Sequence, residues 1–359
     1  MKTNLQYRPL VLLVCALFAQ LSSAAALEEV VARGRLAEKR WKLTGTPRGI
    51  AVAPDGTLYV GLATPQSVVA VDAAKGAIVR EAVIDSAESA STKDFATLRI
   101  AHGRLYIAQG SDESVTILAL PSLDVAREIL LEGESIRDAL PDPAGRHLYV
   151  LGRNVHVFDA AGEREIRALG ENVEPTALTT DARGRILAVV GLQSFPNGKV
   201  SIALFYDAAT LREIARVPLQ TEREIVSTFF AADDRVLVAV ANDWLAEAPA
   251  APRETKQPKS DIGAIRMTIE LGDLVSSETI CLPAGAGPQI AGPAAGALVV
   301  VAEKRCAAGG AFTAAKRKTR VASLYGISAY AMAPTPDGRW AVTDPEGFLT
   351  IYKQPAPKE

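Results

Sequence analysis

Apolar and polar positions along the chain fall into a unit that keeps returning. A short apolar strand runs into a tight polar turn, usually ended by Gly, and then into a second strand that is apolar almost throughout. The first copy reads Ile50-Ala51-Val52-Ala53, Pro54-Asp55-Gly56, Thr57-Leu58-Tyr59-Val60. Further turns stand at Gly103, Gly145, Gly184, Asp234, Gly296 and Gly338, and the strands after them include Arg104-Leu105-Tyr106-Ile107 and Arg339-Trp340-Ala341-Val342. Glycine suits these hairpins because it adopts positive φ without a steric penalty. Third strands follow, such as Ser67-Val68-Val69-Ala70-Val71 and Asn154-Val155-His156-Val157-Phe158. After a polar turn come fourth strands that share an Arg-Glu look, as in Val79-Arg80-Glu81 and Ala126-Arg127-Glu128. One unit therefore predicts one four-stranded antiparallel sheet, and units about 40 to 60 residues apart have the period of propeller blades.

The last unit, Tyr330 to Tyr352, holds three strands, and Ala37-Glu38-Lys39-Arg40-Trp41-Lys42-Leu43 has the look of its fourth. Pairing the two ends in one blade removes a free edge. The expected fold is all-β, a seven-bladed β-propeller of four-stranded antiparallel blades, with one domain over residues 27–359. Blades begin near residues 46, 93, 135, 174, 222, 285 and 329, and residues 30–44 complete the last. In the sixth blade, Val321-Ala322-Ser323-Leu324-Tyr325 reads as the third strand, and the outer strand as short or absent. The Arg-Glu pairs of the fourth strands read as charged outer edges that discourage edge-to-edge association.

Leu58-Tyr59-Val60-Gly61 with Val68-Val69-Ala70-Val71-Asp72, Leu105-Tyr106-Ile107-Ala108, and Leu148-Tyr149-Val150-Leu151 with Val155-His156-Val157-Phe158-Asp159 resemble the repeats of YVTN-type propellers. The Thr-Asn half of that signature is absent. The resemblance implies the propeller fold, which hosts binding proteins, enzyme subunits and lactonase-like enzymes alike.

Residues 1–26 read as a signal peptide: Lys2 and Arg8, the apolar run from Leu10 to Leu21, then Ser22-Ser23-Ala24-Ala25-Ala26 before cleavage. This predicts a periplasmic or secreted protein without stable membrane insertion. The 39 Lys and Arg against 41 Asp and Glu argue against nucleic acid as a partner, since displacing phosphate counterions takes a cationic excess. Beyond the leader the two cysteines are Cys281 and Cys306, and an even pair in an exported chain suits one disulfide.

Two places are candidate sites. Loops joining second to third strands lie on one propeller face, and three consecutive units lengthen them: Leu192 to Lys199, Asp243 to Asp261 and Cys306 to Arg320. Loops on a rigid scaffold carry recognition, so Phe195, Asn197, Trp244, Lys316, Arg317, Lys318 and Arg320 form a candidate platform. The second place is the central funnel, where residues entering the innermost strands include Arg48, Asp94, Arg137, Asp138, Glu174 and Glu224. Their carboxylates either hold Ca²⁺ or another divalent cation, with Glu174 and Glu224 as ligands, or are neutralised by Arg48 and Arg137. His102, His147 and His156 lack a matching nucleophile and read as structural. The leading expectation is a monomeric, non-catalytic scaffold for a protein, peptide or envelope ligand, working without a cofactor. The alternatives are a cation-dependent lactonase-like hydrolase and an accessory propeller of a periplasmic redox enzyme.

Overall fold

A computed structural model of the chain describes residues 25–26, 28–29, 36–63, 66–84, 95–109, 113–196, 198–219, 225–230, 236–241, 262–270, 273–282, 289–294, 297–302, 320–325, 330–344 and 346–353. Among the described residues the regular elements are strands, arranged in seven sheets. The first sheet is built from Pro47–Val52, Leu58–Ala63, Gln66–Asp72 and Ala77–Val83, with Ala25–Ala26 added on its outer edge. The second to fifth sheets repeat the four-stranded antiparallel pattern. The seventh joins Ala331–Pro334, Trp340–Thr343 and Phe348–Tyr352 to Ala37–Lys42, whose far edge takes Glu28–Glu29. Thus Ala25 and Ala26, assigned above to the leader, pair with Ile78 and Ala77.

The sixth sheet departs from expectation. Among the described residues it has three strands, and Arg320–Tyr325 runs parallel to Ala297–Ala302 rather than antiparallel. A parallel neighbour needs a crossover instead of a hairpin, and residues 303–319 between these strands give the length for one.

The first strands of successive sheets lie against one another: Pro47–Val52 on Phe95–Ala101, then Asp138–Pro141, Val173–Thr180, Ile225–Phe230, Gln289–Ala294 and Ala331–Pro334, which again touches Pro47–Val52. This stacking explains why the second strands are apolar almost throughout. Leu148 and Val150 pack toward the second sheet with Tyr106 and Ile117. Tyr149 and Leu151, of opposite pleat, pack toward the fourth with Leu187 and Val189. Strands buried on both faces read as continuous apolar runs, and each fully buried Leu or Val contributes about 1.5 to 3 kcal/mol.

Six sheets share a bulge at one place in the pairing of their outer two strands. The outer-strand residue paired just before that bulge is Lys39 in the seventh sheet, Arg80 in the first, Arg127 in the second and Arg167 in the third. In the fourth and fifth it is Ala215 and Ser276. Each of the four cations reaches across to the turn between the third and fourth strands of the following sheet. Lys39 donates to the carbonyls of Ala73 and Ala74 at 3.4 and 3.3 Å, Arg80 to Ser122 O at 3.2 Å, Arg127 to Glu163 Oε1 at 2.8 Å and Arg167 to Leu211 O at 3.3 Å. The arginines read above as repulsive edge charges are therefore ties between sheets. The long guanidinium can lie over the edge and still find an acceptor on its neighbour.

Candidate functional site

The innermost strands carry the described funnel residues. Asp138 opens the first strand of the third sheet and is buried, at 7% exposure. It accepts Arg99 Nε at 3.2 Å and Nη2 at 2.8 Å, Thr97 Oγ1 at 2.6 Å and the Ala139 amide at 2.9 Å. Thr97 and Arg99 stand two apart on Phe95–Ala101, so the period of the strand puts both on the face toward Asp138. Asp138 raises the Arg99 guanidinium above its ordinary range against the opposing effect of burial. Glu174 is half exposed and is met by Lys199 Nζ at 3.0 Å.

Arg48 and Arg137, the cations expected to neutralise these carboxylates, have the following described contacts. Arg48 lies over the Tyr330 ring at 4.5 Å, and Arg137 donates to Pro175 O at 3.4 Å. Arg99 shares a strand face with Thr97 opposite Asp138, and the Arg137 bond to Pro175 O reaches the next first strand. Among the described residues no three His, Cys, Asp or Glu side chains converge for a metal ion. Asp94 and Glu224 lie outside the described residues.

Of the platform, the structure redraws the first part. Leu192 to Lys199 is no loop but the tip of a long hairpin: Ile186–Phe195 pairs with Gly198–Asp207 out to Phe195 opposite Gly198. The ladder continues because Leu192-Gln193-Ser194-Phe195 faces Gly198-Lys199-Val200-Ser201 in register, and Gly198, at φ 137°, absorbs the turn. Phe195 is 50% exposed at this tip. Arg320 begins the strand Arg320–Tyr325 opposite Ala297, and Cys281 sits opposite Gly263 near the end of Asp273–Leu282. Asn197, Trp244, Lys316, Arg317, Lys318 and Cys306 lie outside the described residues.

All three histidines are held in the scaffold. His102 Nε2 is 2.9 Å from Asp142 O in the next sheet's first turn, and His147 lies against Tyr149 with its pKa lowered by burial. His156 is bracketed, with Nδ1 2.8 Å from Glu165 Oε1 and Nε2 3.0 Å from Glu134 Oε2, which also accepts the Arg153 amide at 2.9 Å. The fully buried Asp142 and Asp181 are likewise used up in their turns, where they accept backbone amides and Arg146 Nε or Arg185 Nε, both at 2.8 Å. The recurring Asp-x-x-Gly-Arg of these turns was the signal for that arrangement. Arg99, an isolated charge inside Phe-Ala-Thr-Leu-Arg-Ile-Ala, was the signal for the Asp138 pair.

Stacked antiparallel sheets with their first strands innermost define a β-propeller. No family model matches the chain, and no curated protein matches it. Among solved structures it is similar to hydrazine synthase from Kuenenia stuttgartiensis, with a TM-score of 0.65 and 14% identity over 92% of this chain and 99% of that one. A chain of a mitotic checkpoint complex matches with a TM-score of 0.45 and 13% identity over 98% of this chain and 99% of that one. The likeness to hydrazine synthase supports the propeller fold and nothing about chemistry.

Proposed function

We propose that this protein is a non-catalytic binding scaffold: a closed, seven-bladed propeller of the YVTN type, exported after loss of residues 1–26. It recruits a protein, peptide or cell-envelope ligand through the face formed by the Phe195 hairpin tip and the long connections after Ala241 and Ala302. One observation carries this reading above the hydrolase alternative. The described funnel carboxylates are already engaged by the chain's own cations, Asp138 by Arg99 and Glu174 by Lys199. A carboxylate whose lone pairs are taken by a guanidinium is a poor ligand for a hard cation. The succession of first-strand contacts, returning from Ala331–Pro334 to Pro47–Val52, supports the closed ring.

The test is affinity capture from an envelope extract with the full chain, beside variants lacking 255–259 and 316–320 and the variant Phe195→Ala. A partner retained by the full chain and lost from these variants, with melting temperatures unchanged, is the expected result. Retention of every partner by all of them would sink the platform. A stoichiometric divalent ion in the purified protein, lost in Glu174→Ala, would bring the hydrolase reading forward instead.

A further inference from the structure

We infer that the leader is cut between Ala24 and Ala25, two residues upstream of the boundary assigned above. The mature chain then keeps Ala25 and Ala26 as the first part of a strap that fastens the first sheet to the seventh. The inference rests on the export proposed above and deepens it by placing the processed bond. The leader ends in Ser22-Ser23-Ala24-Ala25-Ala26. A processing peptidase asks for small residues at the cut and two positions before it. Three bonds meet that demand, those after Ala24, Ala25 and Ala26. Ser22, Ser23 and Ala24 lie outside the described residues.

The pairing of the next residues separates the three bonds. Ala25 pairs antiparallel with Ile78, and Ala26 with Ala77, on the outer edge of the first sheet. Glu28 and Glu29 then pair with Lys42 and Trp41 on the outer edge of the seventh. One residue separates the two pairings, and successive Cα atoms are about 3.8 Å apart, so Ala26 and Glu28 lie within about 7 Å of each other. The segment therefore passes directly from one rim to the next. It does so beside the residue that packs the two sheets together. Glu29 stands opposite Trp41, and Ala77 follows Gly76, where a Cβ would fall 2.6 Å from Trp41 Nε1. Lys39 reaches the Ala73 and Ala74 carbonyls across the same joint. A cut after Ala26 removes the whole first-sheet half of the strap, and a cut after Ala25 removes one of its two pairs. Only the cut after Ala24 leaves both alanines in place. The peptidase reads the extended chain before it folds, so the fold does not steer the cut; it distinguishes the product that can form the strap. Water divides the Ala24–Ala25 peptide bond, its hydroxyl completing the Ala24 carboxyl of the released leader and its proton the Ala25 amine.

The test exports and purifies the protein from its full-length precursor, beside a variant lacking Ala25 and Ala26. In the variant Ser22 and Ala24 still allow one cut, which leaves Leu27 first. Intact mass is expected to show the natural protein beginning at Ala25, heavier than the variant by two alanine residues. Hydrogen exchange over residues 77–83 is expected to run about fivefold faster in the variant, the factor expected of one lost hydrogen bond. Residues 104–109 should exchange equally in both. A natural protein beginning at Leu27 is the same molecule as the processed variant and overturns the inference; one beginning at Ala26 overturns it too. A start at Ala25 with equal exchange over 77–83 in the two proteins overturns the strap. An uncut chain of full mass is the failure of the export reading itself, and takes the inference with it.

Discussion

Trp41→Ala probes the pairing of the two chain ends. Trp41 lies on Ala37–Lys42 opposite Leu349, is 1% exposed and packs among Leu58, Val60, Val69, Val71, Leu349 and Ile351. Its ring thus joins the seventh sheet to the first. Truncating a fully buried Trp to Ala removes its transfer free energy and leaves a cavity, at a cost of about 3 to 5 kcal/mol. The surrounding strands are held by their own ladders and collapse little, which favours the upper half of that range. For a chain of this length, roughly 2 °C of melting temperature accompanies each kcal/mol, so a fall of about 6 to 10 °C is expected. Urea unfolding followed by circular dichroism measures the free energy directly, with an unchanged slope showing that the compactness of neither end state has changed. Val83→Ala, at a 64% exposed outer position, is the control and should stay within about 0.5 kcal/mol. A loss below about 1 kcal/mol for Trp41→Ala would refute the claim that the N-terminal strand is an integral part of the core.

Two glycines offer a paired comparison. Gly56 and Gly76 both have positive φ, at 88° and 62°, but a Cβ on Gly56 meets open space while one on Gly76 falls 2.6 Å from Trp41 Nε1. Gly56→Ala should cost about 1 kcal/mol from backbone strain, and Gly76→Ala more by about another 1 to 2 kcal/mol because the indole must move; equal costs in urea titrations would contradict this packing. Acid stability should fall in two stages. Burial lowers the His147 pKa, so its contribution is complete above the ordinary histidine value of about 6.5 and is lost as the pH drops below it. Hydrogen bonds from Arg339 and Thr335 bring Asp337 down to about 2, and Asp72 and Asp207 are also lowered by their turn contacts, so their contribution is complete above about pH 4 and is lost toward pH 2. Melting temperatures recorded from pH 8 to pH 2 should decline in that order, and a flat profile between pH 4 and pH 2 would overturn the assignment of those aspartates.

The hairpin cores were legible because their chemistry is local. A glycine at positive φ between two apolar runs states where a strand turns, and Gly56, Gly103, Gly145, Gly184 and Gly338 all turn there. The pairing of Ala37–Lys42 with Phe348–Tyr352 was legible too, since an incomplete last unit demands a partner and the early segment looked like an outer strand. Leu192 to Lys199 was misread because its polar positions resemble a loop, although alternation across the hairpin allows a ladder. The funnel pairs escaped because the identity of an ion-pair partner depends on strand face and blade stagger. Asp138 has Arg137 beside it in sequence and takes Arg99 from another sheet. The cross-blade ties escaped for the same reason: Arg80 and Glu81 look like one charged edge until the bulge fixes which of them faces the next turn.

The ties also have a direction, and with it a schedule. Each cation finds its acceptor downstream, at sequence separations of 34 for Lys39, 42 for Arg80, 36 for Arg127 and 44 for Arg167. A growing chain can therefore complete every such joint one blade behind its newest residue. The contact of Arg40 with Asp344 spans 304 residues and must wait for the whole chain. Joining distant segments is the slow event in folding, so until it happens the stack stands with Trp41 and the apolar face of the first blade uncovered. A chain interrupted before Trp340 would keep that face exposed and be prone to aggregate, however well its finished blades had formed.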